Sequence, residues 1–157
     1  MHYRLILLFS FLAIAASPGL AQTPAGSDAP KTIKNISIKI LAPPVDAPKT
    51  KLQEFQQYLP LLFSEMETQS GKIDQGCHWN MSIGLKKRFN GIFVVGVDVE
   101  QILTAENRDN ARKHNVTIQP KETSLAIITK EKFGEDYMDM IKSAAGRLLG
   151  ICRCQEF

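Results

Sequence analysis

Residues 81–99, MSIGLKKRFNGIFVVGVDV, predict the centre of the fold. The first five residues alternate larger apolar with small side chains, which is typical of a half-buried strand. The dipeptide Asn90-Gly91 is the strongest short signal for a β-hairpin. The segment that follows, residues 92–99, is almost wholly apolar, as expected of a central strand buried on both faces. The stretch therefore predicts an antiparallel pair of strands in the middle of a sheet.

Toward the N terminus, one strand and one helix precede this pair. Isoleucines alternate with polar residues in Ile36–Ile40, which predicts a strand with one buried face. Apolar residues then recur at spacings of three and four between residues 49 and 69, which predicts one buried helical stripe. Pro60 is expected to kink or split that helix because it removes a backbone donor. The stripe consists of Leu52, Phe55, Leu59, Leu62 and Met66.

Toward the C terminus, the pattern predicts a helix, two strands and a final helix. Asp98 is expected to cap a helix that runs to about His114. Residues 116–118 and 125–129 are β-branched or apolar and predict two strands. Residues 135–149 predict the last helix, with Gly150 as its C-cap.

The resulting order is strand, helix, strand, strand, helix, strand, strand, helix. It predicts an α+β fold, a two-layer α/β sandwich. The first six elements follow the split βαβ pattern (βαββαβ) of ferredoxin-like folds, with a C-terminal strand and helix added. We expect residues 33–157 to form this single domain, preceded by a disordered leader at 22–32.

The first 21 residues predict a secretory signal peptide and hence a periplasmic or extracellular protein. Arg4 precedes an uncharged apolar run at residues 5–16, and small residues precede a cleavage point before Gln22. We expect no stable membrane insertion after cleavage, because the run is shorter than a membrane span. In a eukaryotic secreted protein three Asn-x-Ser/Thr motifs, at Asn35, Asn80 and Asn115, would be glycosylation acceptors.

The charge balance argues against a nucleic-acid partner. Lys and Arg number 19 and Asp and Glu 16, a formal net charge of +3. A phosphate backbone demands a far more basic surface. The one dense basic run, Lys86-Lys87-Arg88, is interpreted as the solvated end of the hairpin.

Three cysteines, Cys77, Cys152 and Cys154, are the most informative polar residues. In an oxidising compartment we expect a disulfide from Cys77 to either Cys152 or Cys154. Such a bond would fasten the C-terminal tail to the sheet. The remaining thiol is expected either to be buried or to link two chains in a disulfide-bonded homodimer.

Two alternative hypotheses give the same cysteines a chemical role. In a thiol-redox protein, Cys152 and Cys154 would be an exchange pair, with Arg153 lowering a thiol pKa. In a metal-handling protein, Cys77, His78, Cys152 and Cys154 would form a soft site for zinc or copper. Against the first, the pair is predicted to follow a helix, whose dipole would raise a thiol pKa.

A third alternative is a small hydrolase that uses unmarked carboxylates such as Asp98. The chain contains none of the common nucleophile, zinc or phosphate-loop motifs, so the sequence identifies no catalytic and no cofactor-binding residue. The sequence therefore predicts a small exported binding protein without enzymatic activity. Its expected partner is another protein or a component of the cell surface.

Overall fold

A computed structural model of the chain describes residues 30–73, 76–126 and 130–154. The predicted signal peptide and residues 22–29 of the predicted leader lie outside this part. The described residues form five strands and four helices, with short 3-10 turns at Ser70–Lys72 and Gly134–Asp136. The elements are β1 (Lys31–Ile33), β2 (Ile36–Ile40), α1 (Lys49–Gln69), β3 (His78–Lys87), β4 (Phe93–Ile102), α2 (Ala105–Lys113), β5 (Lys121–Ala126), α3 (Lys130–Phe133) and α4 (Tyr137–Ile151).

The strands form one mixed sheet in the sequential order β1-β2-β3-β4-β5. Only β2 and β3 are parallel, and α1 is the crossover between them. This architecture confirms the α+β two-layer fold. A split βαβ unit leaves room for another strand between its parallel strands. Here the parallel strands are direct neighbours, so the sheet order differs from the ferredoxin-like arrangement.

Helices α1 and α4 pack against each other, and together with one face of the sheet they enclose the core. Along β3 the alternation places Trp79, Met81, Ile83 and Leu85 on this inner face. From α1 the predicted stripe is buried except for Leu52, which is half-buried. Pro60 lies inside α1 without dividing it. Among the described helices, none has the length and apolar composition needed to cross a membrane.

The other face of β3 and β4 carries polar side chains. Asn80 and Glu100 are exposed, and Lys86 forms an ion pair with Asp98 at 2.8 Å. The hydrocarbon stem of Lys86 lies over Gly96, where a side chain would collide with it. Strand β4, which the sequence predicted to be buried on both faces, is therefore covered on this outer face mainly by polar residues of β3.

Strand β1 is an element that the sequence did not predict. It begins at Lys31, inside the stretch expected to be a leader, and pairs with β2 through a two-residue turn. Lys34 takes a positive φ of 55° in this turn. A non-glycine residue in this conformation carries no sequence signal, which explains why the hairpin was missed.

Three predicted elements at the C-terminal side require correction. Asp98 lies within β4 and caps no helix; the N-cap of α2 is Thr104, six residues later, whose side chain accepts a hydrogen bond from the Asn107 backbone N–H at 3.2 Å. Residues 116–118 form no strand, and Val116 is exposed. Gly150 lies inside α4, whose C-cap is Cys152. At Asp98, pairing of β4 with β3 and β5 outweighs the local pattern.

The remaining C-terminal strand is displaced from its prediction. Strand β5 covers Lys121–Ala126, so it starts four residues before the predicted segment at 125–129. Residues 127–129 lie outside the described part of the chain. The last helix is confirmed, although it begins at Tyr137 and Met138 faces solvent.

Candidate functional site

The first candidate region is where the tail after α4 meets the start of β3 and the end of β4, here called the cysteine end. It contains a disulfide between Cys77 and Cys154, whose Cα atoms are 5.8 Å apart. This is one of the two pairings that the sequence left open. The bond joins residues separated by 77 positions and fastens the tail to the first residues of β3.

The third cysteine, Cys152, is a free thiol with 1% of its surface exposed. Burial raises the pKa of this thiol to about 12, and the positive charge of Lys121 opposes that shift only in part. The thiol is therefore neutral near physiological pH, whereas a nucleophile or metal ligand must be the thiolate. A disulfide-linked dimer through Cys152 would require this residue to leave the core first.

Around the disulfide, β3 and β4 contribute buried polar groups. The Gln101 side-chain amide donates to Cys77 Sγ at 3.5 Å, and the Asn35 side-chain amide donates to the Cys77 carbonyl oxygen. Within the described residues, Trp79 Nε1 and Gln101 Oε1 have no hydrogen-bond partner, and these two residues face each other across the strands. These groups help to position Cys77 but contribute no titratable side chain.

The other candidate ligand, His78, is separated from the cysteines by the alternation of β3. Its side chain is exposed, whereas the following residue, Trp79, is buried in the core. The described part of the chain brings together no three His, Cys, Asp or Glu side chains that could hold a metal ion. The four residues Cys77, His78, Cys152 and Cys154 thus do not assemble as one ligand set in this structure.

A cavity of about 480 Å³ adjoins the disulfide. Cys152 and Cys154 line it together with Gln69 and Arg153, and two glycines of α4 leave it space. The Gln69 side-chain amide is already used, since it donates to the Lys142 carbonyl oxygen at 3.1 Å. Among the described residues that line the cavity, Arg153 is the one exposed cation, and none has a side chain suited to proton transfer.

The second candidate region is the opposite end of the same strands, here called the hairpin end. It consists of the loop at residues 41–48 and the turn at residues 88–92, which are joined by the ion pair between Lys87 and Asp46. Three apolar side chains project from it into solvent. Phe89 and Val45 are fully exposed, at 111% and 107%, and Ile92 is 56% exposed. Nothing in the sequence pattern indicated that these residues would remain uncovered.

The hairpin turn shows why Phe89 projects. The Gly91 backbone N–H donates to the Arg88 carbonyl oxygen at 2.9 Å, so Phe89 and Asn90 occupy the two corners of the turn. Gly91 then takes the left-handed conformation, with φ 77°. This is the turn-plus-bulge form of a hairpin loop. The predicted hairpin is confirmed, with its turn one residue earlier than a two-residue Asn-Gly turn would place it.

The carboxylates of the hydrolase alternative lie on the polar face of the sheet. Asp98 accepts hydrogen bonds from Lys86 Nζ on both oxygens, at 3.0 and 2.8 Å. The strand register places Glu122 directly opposite Asp98, a neighbour that the sequence reasoning did not identify. Paired carboxylate catalysis needs two groups that are shielded from water and held across a cleft. Here one group is neutralised by a lysine and the other is exposed.

Comparisons with known proteins add no relative to this description. No protein-family model, no curated protein and no solved structure matches the chain.

Proposed function

We propose that this chain is a small exported binding protein without enzymatic activity, stabilised by the disulfide from Cys77 to Cys154. Its partner is a protein or a component of the cell surface. One observation carries the proposal: large apolar side chains project into solvent at the hairpin end, whereas the reactive groups of the cysteine end are bonded or buried.

The disulfide supports the location. Disulfides persist in oxidising compartments and are rare in the cytosol, where thiols are kept reduced. A bond across 77 residues, from the residue just before β3 to the C-terminal tail, is the kind of crosslink that a small exported domain uses for stability. It is compatible with the signal peptide that residues 1–21 predict.

The exposed apolar groups support the binding role. Single exposed apolar residues are ordinary on a protein surface, but a cluster marks an interaction site. Aromatic and arginine side chains also dominate the energetics of protein interfaces. Phe89 and Arg88 are adjacent at the tip of the turn, with Val45 and Ile92 in the same region.

A thiol count on the purified exported protein tests the absence of thiol chemistry. We expect one disulfide, and one thiol that an alkylating reagent modifies only after unfolding. A pKa of about 12 in place of 9.0 lowers the thiolate fraction near pH 8 by a factor of about 1000. Burial of the sulfur slows the reaction further. Rapid labelling of the native protein, or turnover of a dithiol substrate, would establish the redox alternative instead.

Site-specific photocrosslinking on intact cells tests the binding role. A photoreactive phenylalanine analogue at position 89 should give covalent adducts. The same analogue at Val116, an exposed apolar residue near the opposite end of β4, is the matched control. Equal adduct formation at both positions, or none at position 89, would contradict a binding site at the hairpin end.

A further inference from the structure

We infer that the hairpin end binds the anionic surface of a lipid bilayer. The inference rests on the proposed function and names the partner of the same site. It requires three things of the structure: apolar groups that can enter the interface, cations that can meet lipid phosphates, and a frame that holds both in place.

The apolar groups project outward from two separate loops. Phe89 and Ile92 belong to the hairpin turn, and Val45 belongs to the loop that follows β2. Because all three protrude and they come from two different loops, a protein partner would need a matching hollow for each of them. The boundary between headgroups and acyl chains accepts apolar side chains in any mutual arrangement. The shape of this end therefore favours a bilayer.

The charge of the hairpin end has the complementary sign. At this end and on the adjoining outer face of the sheet lie four basic residues, Lys39, Lys86, Lys87 and Arg88, and three acidic residues, Asp46, Asp98 and Glu122. Asp46 is paired with Lys87 and Asp98 with Lys86, whereas Arg88 has no side-chain partner among the described residues. An anionic lipid surface attracts such a cluster over about a Debye length.

A cleft of about 770 Å³ lies beside Phe89. Among the described residues, Lys86, Lys87, Arg88 and the acidic Glu122 line it. Lys86 and Lys87 form ion pairs with Asp98 and Asp46, so Arg88, next to the protruding Phe89, is the cation placed to meet a phosphate headgroup whose acyl chains lie beside that ring.

The turn that presents these groups is ordered before binding. The Arg88 backbone N–H donates to the Ile92 carbonyl oxygen at 2.9 Å, and Asn90 Oδ1 accepts from the Ile92 backbone N–H at 3.2 Å. The ammonium group of Lys87 lies 5.8 Å from the centre of the Phe93 ring, at the base of the turn. Little conformational entropy is then lost when the turn meets its partner.

Vesicle sedimentation tests the inference with the full exported protein. The probes are phosphatidylcholine vesicles with and without phosphatidylglycerol. We expect binding to the anionic vesicles, and at least about tenfold weaker binding by the double variant Phe89→Ser/Ile92→Ser. Val116→Ser, at the other end of the molecule, should bind like the wild type. All variants share one N terminus, so residues before the fold cannot cause a difference between them.

The charge contribution has its own variant. Arg88→Gln should weaken binding to anionic vesicles about fivefold, which is the effect of one cation near an anionic surface. High salt should also weaken the binding of the wild type. Equal binding to neutral and anionic vesicles, or full binding by the double variant, would overturn the inference. If the wild type binds no vesicles but position 89 still crosslinks to a protein on cells, the lipid partner is wrong and the binding function stands.

Discussion

The two ends of strands β3 and β4 use similar residue types for opposite purposes. At the cysteine end an aromatic residue, Trp79, is buried and the nearby thiols are bonded or enclosed. At the hairpin end an aromatic residue, Phe89, is fully exposed beside a cluster of cations. The residues that looked chemically reactive in the sequence are thus bonded or buried, and the residues that looked like an ordinary turn form the open surface.

The difference shows that residue type alone does not locate function in a small exported domain. Such a domain buries a smaller share of its surface than a large one and gains stability from crosslinks. The cysteines of such a domain therefore most often form structural disulfides. Exposed apolar area, which costs free energy in water, is the more informative signal.

The largest expected effect is at the disulfide. The double variant Cys77→Ser/Cys154→Ser should lose about 4.5 kcal/mol of unfolding free energy, because a loop of 77 residues regains its entropy in the unfolded chain. Urea denaturation followed by circular dichroism measures this loss. Replacing both cysteines avoids a new pairing with Cys152.

The matched control for that measurement is the wild type unfolded in excess reductant. It should reach the same reduced stability as the double variant. If the double variant unfolds at the wild-type midpoint, the cysteine end is not the stabilising end, and the contrast between the two ends fails.

The next effect compares one aromatic residue from each end. Trp79→Ala should cost about 4 kcal/mol, since it removes a large side chain that is 2% exposed. Phe89→Ala should change the free energy of unfolding by less than about 0.5 kcal/mol, since its side chain is surrounded by solvent. A large loss in Phe89→Ala would mean that this side chain packs against the protein and is not free to bind a partner.

Periodicity predicted the parts of this fold that depend on one buried face. The stripe on α1 and the alternation in β2 and β3 each repeat one side-chain type over several turns or residues, so the pattern is visible without the structure. The final helix was predicted for the same reason, whereas the hairpin was predicted from its turn dipeptide, Asn90-Gly91. Of the candidate site, the sequence predicted that Cys77 would bond to one of the two C-terminal cysteines.

At Asp98, tertiary pairing decided the conformation. Asp98 has the composition of a helix cap, but β3 and β5 pair on both sides of it, and pairing with β3 continues β4 to Ile102. The exposure of Phe89 depends on what the rest of the chain leaves uncovered, and a sequence has no local signal for that. Strand order is similarly non-local, which is why the adjacent parallel pair was not anticipated.

The smallest expected effects concern two glycines that face each other beneath the hairpin end. Gly84 and Gly96 are paired in the register of β3 and β4, and both leave space for a neighbouring side chain. A Cβ atom at Gly84 would lie 2.8 Å from Leu41 Cβ, and one at Gly96 would lie 2.2 Å from Lys86 Cδ. Judged by distance alone, a side chain at Gly96 should cost more unfolding free energy than one at Gly84. We expect the opposite order, because Lys86 can move away and Leu41 cannot.

Leu41 cannot move away from Gly84, because its Cβ is fixed to a backbone whose N–H donates to the Ile83 carbonyl oxygen at 2.8 Å. Gly84→Ala should therefore cost about 1–3 kcal/mol of unfolding free energy. The Lys86 stem can rotate into solvent, so Gly96→Ala should lose only the partly exposed ion pair with Asp98, less than about 1 kcal/mol. Reduced entropy of the unfolded chain offsets part of both costs. Denaturation of the two variants in parallel tests this order. A greater loss of unfolding free energy in Gly96→Ala would show that the Lys86 stem cannot move away from Gly96.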